Sequence, residues 1–273
     1  MKKENKYIYP VLPAVKDLYI FRLGGSGLAN CLFIYARAII AAEKNKKKII
    51  SPTWFNLSLS TYIRAQSDKR HYNNIFLPEV SFVTKLFNLF FKSKQIEQIK
   101  GMGDYFTPLK HKNELVKSYI YNHLNSNIKA KLPCAEKNVI AVHVRLGDYP
   151  EKRRTPVAWY KKIILAINKV SKEKYEFQLF SDGTEKELKQ LTELDFVKRK
   201  NYGSAIADIW AVSQSKLIIG SDSTFSAWGA YLNQVPIIFY KRHFPSVLDN
   251  QKNEIVVGNV EEQFLPWFKQ LHK

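Results

Sequence analysis

Apolar and polar positions fall into two regimes along this chain. In the second half, short apolar runs alternate with helical stripes. Val139 to Val144 is the clearest run: five of its six residues are apolar and four are β-branched. That is the pattern of a strand buried on both faces within a parallel sheet. His143 interrupts it near its end. Phe177–Phe180, Leu217–Gly220 and Val235–Tyr240 read as further buried strands. A helix is predicted after Thr155-Pro156, with Thr155 as cap, Pro156 in the first turn, and Trp159, Ile163, Ile167 and Val170 as the buried stripe. Thr184–Leu191, a segment capped by Ser204 and running to about Ser215, and Ser223–Leu232 give three more. Strand–helix alternation of this kind predicts a parallel, doubly wound sheet.

The first half is less regular. Tyr7 to Val15 is interrupted by Pro10 and Pro13, and Leu18–Arg22 reads as the first buried strand. Gly24-Gly25-Ser26-Gly27 follows, then a helix over about Asn30–Glu43 with Leu32, Phe33, Ala36, Ile39 and Ile40 at helical spacing. The glycines match neither the dinucleotide fingerprint nor a phosphate loop ending in Lys-Ser/Thr, so a packing turn and a ligand contact both remain open. Lys46–Ile50 leads into a second strand. Ser51 to about Lys100 shows no regular alternation and holds Trp54, Tyr62, Arg64, His71 and Tyr72, a mixture common in acceptor-binding loops. Phe82–Phe91 is a dense apolar segment among Lys85, Lys92 and Lys94. It fits a helix packed on its own domain or one lying in an anionic membrane interface. Lys110–Ile128 reads as a helix and Lys129–Asn138, with Pro133, as a linker. Residues 1–135 and 136–258 are the expected domains. The tail, 259–273, is read as a helix with the option of crossing back onto the first domain.

A length of 273 residues suits two compact domains. The net charge of +19 changes the picture more, because it calls for an anionic partner. The basic clusters Lys44–Lys48, Lys152–Arg154 and Lys198–Lys200 lack the aromatic interleaving of single-strand binders, and neither zinc-finger nor RNA-binding sheet motifs occur, so nucleic acid is not the expected partner. Cys31 and Cys134 stand far apart, which suggests reduced thiols. No apolar run reaches the roughly 18 residues of a membrane span. A cytoplasmic protein is expected, with any membrane contact peripheral at the inner face.

Candidate chemistry gathers at predicted strand ends. Arg145, Gly147 and Asp148 follow Val139–Val144, where open α/β sheets bind ligands. A guanidinium there suits phosphate; a local salt bridge is the plainer alternative. Ser221-Asp-Ser-Thr-Phe-Ser226 lies where a strand gives way to a helix, and its excess of hydroxyls favours phosphate over capping alone. Asp208 has Ala205 three residues before it and Val212 four after, so it points along an apolar face and needs a partner. The adjacent N–H donors of guanine would serve, as would a Lys or Arg. No Asp-x-Asp, His-x-His or His–carboxylate cluster occurs, and no metal is expected.

Three segments then resemble the α-1,2-fucosyltransferases of glycosyltransferase family eleven and, more weakly, α-1,6- and protein O-fucosyltransferases. Ser26-Gly-Leu-Ala-Asn-Cys-Leu-Phe-Ile-Tyr-Ala36 is similar to Gly-Gly-Leu-Gly-Asn-Gln-Met-Phe-Gln-Tyr-Ala. His143-Val-Arg-Leu-Gly-Asp148 matches His-x-Arg-x-Gly-Asp. Asp208-Ile-Trp through Asp222-Ser-Thr-Phe-Ser-Ala-Trp-Gly-Ala230 matches a third segment, usually Asn-Ser-Thr-Phe-Ser-Trp-Trp-Gly-Ala. The departures are Ser26, Ala29 and Cys31 in the first, Leu146 in place of a second Arg, and Asp222 and Ala227 in the third.

The resemblance implies a GT-B fold: α/β, with two Rossmann-like domains whose parallel sheets face a central cleft, the C-terminal one binding GDP-fucose. It implies an inverting, metal-independent transfer of L-fucose to a glycan hydroxyl, α-1,2 to galactose, in surface polysaccharide synthesis. Apart from GDP-fucose as donor substrate, no cofactor is implied; the acceptor is a glycan, with a lipid-linked one as an option. Carried over by position, Arg145 binds the β-phosphate and is the catalytic candidate. His143 lies at the nucleotide, Asp208 reads guanine, Ser223 and Thr224 hold the diphosphate, and Gly27 and Asn30 approach the donor from the first domain. Asp148, Glu151 and Asp182 are candidates for a general base. Another GDP-sugar donor, or a non-catalytic polyanion or membrane-surface binder on the same fold, are the alternatives.

Overall fold

A computed structural model describes residues 6–57, 71–134, 138–147 and 149–271. The chain divides into two compact units, Met1–Ala130 and Lys131–Lys273. The division falls inside the expected linker, a few residues before the boundary drawn from sequence.

In the first unit the strands are β1 (Tyr7–Val11), β2 (Lys16–Asp17), β3 (Arg22–Leu23), β4 (Lys48–Ile49), β5 (Asn56–Leu57) and β6 (Ile96–Lys100). Its helices are α1 (Leu28–Asn45), α2 (Phe82–Phe91), α3 (Asn113–His123) and α4 (Ser126–Lys129). Two three-stranded sheets form, the parallel β4-β1-β6 and the mixed β2-β3-β5. The first buried strand is therefore β1, not Leu18–Arg22. Pro10 is accommodated because β4 reaches only Tyr7 and Ile8, which leaves the far end of β1 paired with β6 alone. The single helix expected over Lys110–Ile128 is two, separated at Leu124, whose backbone is extended. Tyr62 and Arg64 lie outside the described residues.

The glycine-rich turn before α1 is a packing turn at Gly25. Gly25 has φ +115°, and a Cβ there would lie 2.0 Å from Pro13 O and 2.7 Å from Arg22 Nη1. Arg22 is fully buried; its Nη1 donates to Pro13 O at 2.6 Å, and its Nη2 lies 3.5 Å from Cys31 Sγ.

The second unit is the regular one. In chain order it runs β7 (Val139–Val144), α5 (Val157–Val170), β8 (Glu176–Ser181), α6 (Glu185–Thr192), β9 (Val197–Arg199), α7 (Ala205–Ser213), β10 (Leu217–Gly220), α8 (Thr224–Asn233), β11 (Ile237–Phe239), β12 (Glu254–Val256) and α9 (Leu265–Leu271). Its six strands are all parallel in the order β12-β11-β10-β7-β8-β9. This is the doubly wound order: the chain leaves β7 towards β8 and β9, then returns to the other side at β10. The ligand crevice of such a sheet opens where the direction reverses, beyond the carboxyl ends of β7 and β10. Every residue of β7 is buried, as its β-branched run requires.

Local signals account for most of the helix ends. Thr184 and Glu187 form a reciprocal capping box at α6, and Ser204 and Ser223 cap α7 and α8 through Ala207 N and Phe225 N. Thr155 does not cap α5. Pro156 holds the cap position without a side-chain bond, and Thr155 is buried facing the Tyr160 hydroxyl. The tail packs within the second unit, where Phe264 and Phe268 join the core formed by Ile140, Val142, Trp159 and Ile163. The basic run Lys198–Lys200 lies on and just beyond edge strand β9, where Lys198 and Lys200 pair with Glu176 and Arg199 with Glu185. That cluster is a solvated edge rather than an anion site.

Helices α7 and α8 cross tightly. A Cβ at Gly229 would lie 2.4 Å from Val212 Cγ1 and 3.0 Å from its Cβ. Gly229→Ala is expected to destabilise the second unit by about 1–3 kcal/mol through overpacking. A fall in the urea midpoint with an unchanged slope would show it.

Candidate active site

The site assembles where β7 and β10 end. His143 is buried, and its Nδ1 lies 2.6 Å from Ser226 Oγ and 2.9 Å from Ser221 Oγ. Its ring stacks on Phe225 with centroids 4.5 Å apart. Burial, helped by the charge of Arg145, pushes its pKa down to about 3, so the imidazole is neutral near pH 7. His143 thus ties the last turn of β7 to the start of α8.

A group held neutral by burial lowers stability once pH falls below its unfolded pKa of about 6.5. The wild type is expected to lose up to about 1.4 kcal/mol per pH unit between roughly pH 6 and pH 4 from this residue. In His143→Gln, less stable at pH 7, that part of the slope is absent. Urea midpoints measured across this range separate the two.

Arg145 follows the strand and is half-buried. Its Nη1 pairs with Asp182 Oδ2 at 2.8 Å, and the other oxygen of Asp182 accepts from Leu146 N at 2.8 Å. Gly147 lies against the same carboxylate: a Cβ there would come within 2.4 Å of Asp182 Oδ2. Asp182, a candidate base from sequence, is therefore committed to holding the loop and orienting the guanidinium. Glu151 is exposed, and Asp148 lies outside the described residues.

Beyond Gly147 the chain folds over the α8 N-terminus. Tyr149 donates its hydroxyl to Asp222 O at 3.1 Å. Its ring carries Arg145 Cζ at 5.4 Å and Arg153 Cζ at 5.1 Å. Arg154 Nε donates to Tyr149 O at 2.9 Å. Arg153 and Arg154 of the basic cluster thereby converge with Arg145 on one tyrosine beside a helix N-terminus. Asp222, where the resembled family has Asn, is buried and pairs with His243: Nδ1 lies 2.6 Å from Oδ1, and His243 N donates to the same oxygen at 2.9 Å. Ser223 caps α8 by accepting from Phe225 N at 3.2 Å, and its hydroxyl also meets the Tyr149 side chain; Thr224 follows it, also buried.

Asp208 lies in the first turn of α7, on the same carboxyl edge of the sheet. The alternative partner, a Lys or Arg in a salt bridge, is absent among the described residues; Oδ1 accepts from Tyr202 N at 2.7 Å. Burial pushes the carboxyl pKa up to about 6, against the lowering effect of that bond. Gly27 and Asn30 belong to the first unit, at the start of α1, where Leu28 N donates to Tyr72 Oη at 3.0 Å. The nearest described atom to a Cβ on Gly27 is Tyr72 Oη at 3.9 Å, so packing does not demand glycine there. In the second unit a shallow depression is lined by Cys134, Val139 and Gln214 together with Tyr202, whose N–H holds Asp208.

Of the sequence candidates, the structure brings His143, Arg145, Ser223 and Thr224 together and places Asp208 on the same sheet edge. Sequence reasoning missed Tyr149, Arg153, Ser226 and His243, and gave Asp182 a different part. The basic Lys152–Arg154 run was the one available signal for the arginines.

The architecture is that of the GT-B glycosyltransferases, and the protein is an enzyme of that class. A solved structure of NodZ, an α-1,6-fucosyltransferase of Bradyrhizobium, here with GDP, has a TM-score of 0.55 at 14% identity over 88% of this chain and 96% of its own. An Arabidopsis thaliana FUT1 variant with GDP gives 0.51 at 10% identity, over 90% of this chain and 73% of its own. The chain belongs to glycosyl transferase family 11, whose model matches residues 33–239. An α-1,2-colitosyltransferase of Escherichia coli is 26% identical over 261 residues, covering 79% of this chain and 88% of the relative.

Proposed function

We propose that this glycosyltransferase moves L-fucose from GDP-fucose to a glycan hydroxyl, with inversion and without a metal. The observation that carries the reading is the convergence of Arg145 and Arg153 on Tyr149 beside the N-terminus of α8, at the switch point of a doubly wound sheet. A diphosphate placed there meets a guanidinium oriented by Asp182, the side chains of Ser223 and Thr224, and the positive end of the α8 dipole. In the transfer, the acceptor oxygen bonds to the anomeric carbon as the bond to the diphosphate breaks, and the hydroxyl proton passes to solvent. The charge left on the β-phosphate is what Arg145 and the helix N-terminus stabilise. Asp208 offers its carboxylate to the N–H edge of guanine. His143 positions the α8 start from beneath. On the first unit, Gly27 and Asn30 are the candidate donor contacts. The acceptor reading is a surface polysaccharide under construction, with α-1,2 linkage to galactose.

The structural relatives solved with GDP support a GDP-linked donor. The colitosyltransferase relative favours a second reading within the same chemistry, with GDP-colitose as donor. The first test is thermal stabilisation by GDP set against ADP, UDP and CDP at moderate salt. A ligand at about 100 times its Kd adds roughly 2.7 kcal/mol. A shift specific to GDP supports the site, and transfer assays with GDP-fucose and GDP-colitose then separate the donors. Equal shifts with every nucleotide, fading as salt rises, reduce the site to general polyanion binding.

A further inference from the structure

Helix α2 is amphipathic in the wrong sense for a helix that faces water. Lys85, Asn88 and Leu89 are its buried residues, while Val83, Phe87, Phe90 and Phe91 form an exposed stripe at helical spacing, and Phe82 is exposed at its start. Val83 is 76% exposed and Phe91 78%. A surface helix ordinarily turns its polar residues outward, and an exposed apolar stripe marks an interaction face. The stripe continues beyond the helix: the Tyr19 ring meets Phe90 edge-on at 5.3 Å, and the next residue, Ile20, is exposed.

Within the helix segment the charge has one sign, while a carboxylate beside the stripe, Asp17, accepts from Tyr19 N at 2.8 Å. No acidic residue occurs between Val80 and Ile96, whereas Lys92 and Lys94 follow the helix and are exposed. The Lys92 ammonium sits over the Phe87 ring, 4.9 Å from its centroid, at the end of the apolar face. Bulky apolar tips below a rim of lysines suit a surface in which hydrocarbon lies beneath anionic headgroups. A second copy fits poorly, since it would oppose lysine to lysine between two chains of charge +19.

We propose that α2, with Tyr19–Ile20, docks the first unit onto an anionic phospholipid bilayer. Phe87, Phe90 and Phe91 insert at the level of the acyl chains, and Lys92 and Lys94 meet the headgroups. The proposal stands apart from the donor reading, because bilayer binding is read without any sugar nucleotide.

The test is flotation with phosphatidylcholine vesicles, with and without phosphatidylglycerol, for the full chain and for the variants Phe87→Ser/Phe91→Ser and Lys92→Glu/Lys94→Glu. Melting temperature, with and without GDP, reports that each variant is folded. The full chain is expected to float with the anionic vesicles and to release as salt rises. The serine pair is expected to weaken partitioning by about tenfold or more, and the glutamate pair to remove the preference for phosphatidylglycerol. Equal flotation of folded wild type and serine variant would overturn the proposal, as would failure of the wild type to float. A wild type that sediments as a dimer while the serine variant is monomeric would assign the face to a second copy instead.

Discussion

Arg145→Ala is expected to lower kcat/KM for sugar transfer about a hundred- to a thousandfold, the usual cost of removing one oriented donor from developing negative charge. The fold should survive. The Arg145–Asp182 pair is partly exposed, and such a pair contributes at most about 1 kcal/mol once solvent screening is allowed for. Arg145→Lys keeps the charge but loses the fork that Asp182 orients, so a large part of the loss should persist. Asp182→Asn retains the arginine but loosens its placement; its kcat should fall while GDP still stabilises the protein. Turnover like the wild type's in folded Arg145→Ala would remove the β-phosphate from this residue.

Asp208→Asn is expected to raise the Kd for GDP by roughly 30- to 100-fold, because it exchanges a charge-assisted acceptor for a neutral amide that also presents donors to donors. Binding of ADP and UDP should hardly change, so base selectivity should collapse. The same residue predicts a pH dependence. Its carboxyl pKa is raised to about 6 in the free protein, and guanine requires the ionised form. Affinity for GDP should fall towards tenfold per pH unit below about 6 and level off above it. The β-phosphate also titrates near there, with a pKa of about 6. Asp208→Asn separates the two, since any dependence that survives in it belongs to the phosphate. Calorimetric titration of both proteins between pH 5 and 8 reads this directly. Equal GDP and ADP affinities already in the wild type would show that Asp208 reads no base.

Much of the second unit was legible in the sequence because its strands are buried on both faces, and continuous apolar runs such as Val139–Val144 and Leu217–Gly220 are difficult to mistake. Edge strands gave no such signal. β9 consists of Val197 and two exposed basic residues, and β12 is only partly buried. In the first unit Pro10 argued against a strand, and only the short reach of β4 explains why β1 tolerates it. The site followed the same division. Arg145 and Ser223 could be read because they lie immediately beside recognisable strands. The commitment of Asp182 to Arg145 could not, since it depends on β7 and β8 pairing in register across a sequence gap of 37 residues, with Val144 opposite Ser181. Asp222 was visible as a departure from the family pattern; its partner His243 came into view only with the loop beyond β11.

The single carboxylate of Asp182 has an evolutionary consequence. It holds Arg145, anchors Leu146 N, and leaves Gly147 no room for a side chain. These positions therefore share one epistatic ledger: once Asp182 is lost, a side chain at Gly147 is no longer obstructed and a change at Arg145 costs less than it did alone. A lineage that loses Asp182 is released at the other two, and restoring the arginine by itself would not then restore the earlier rate.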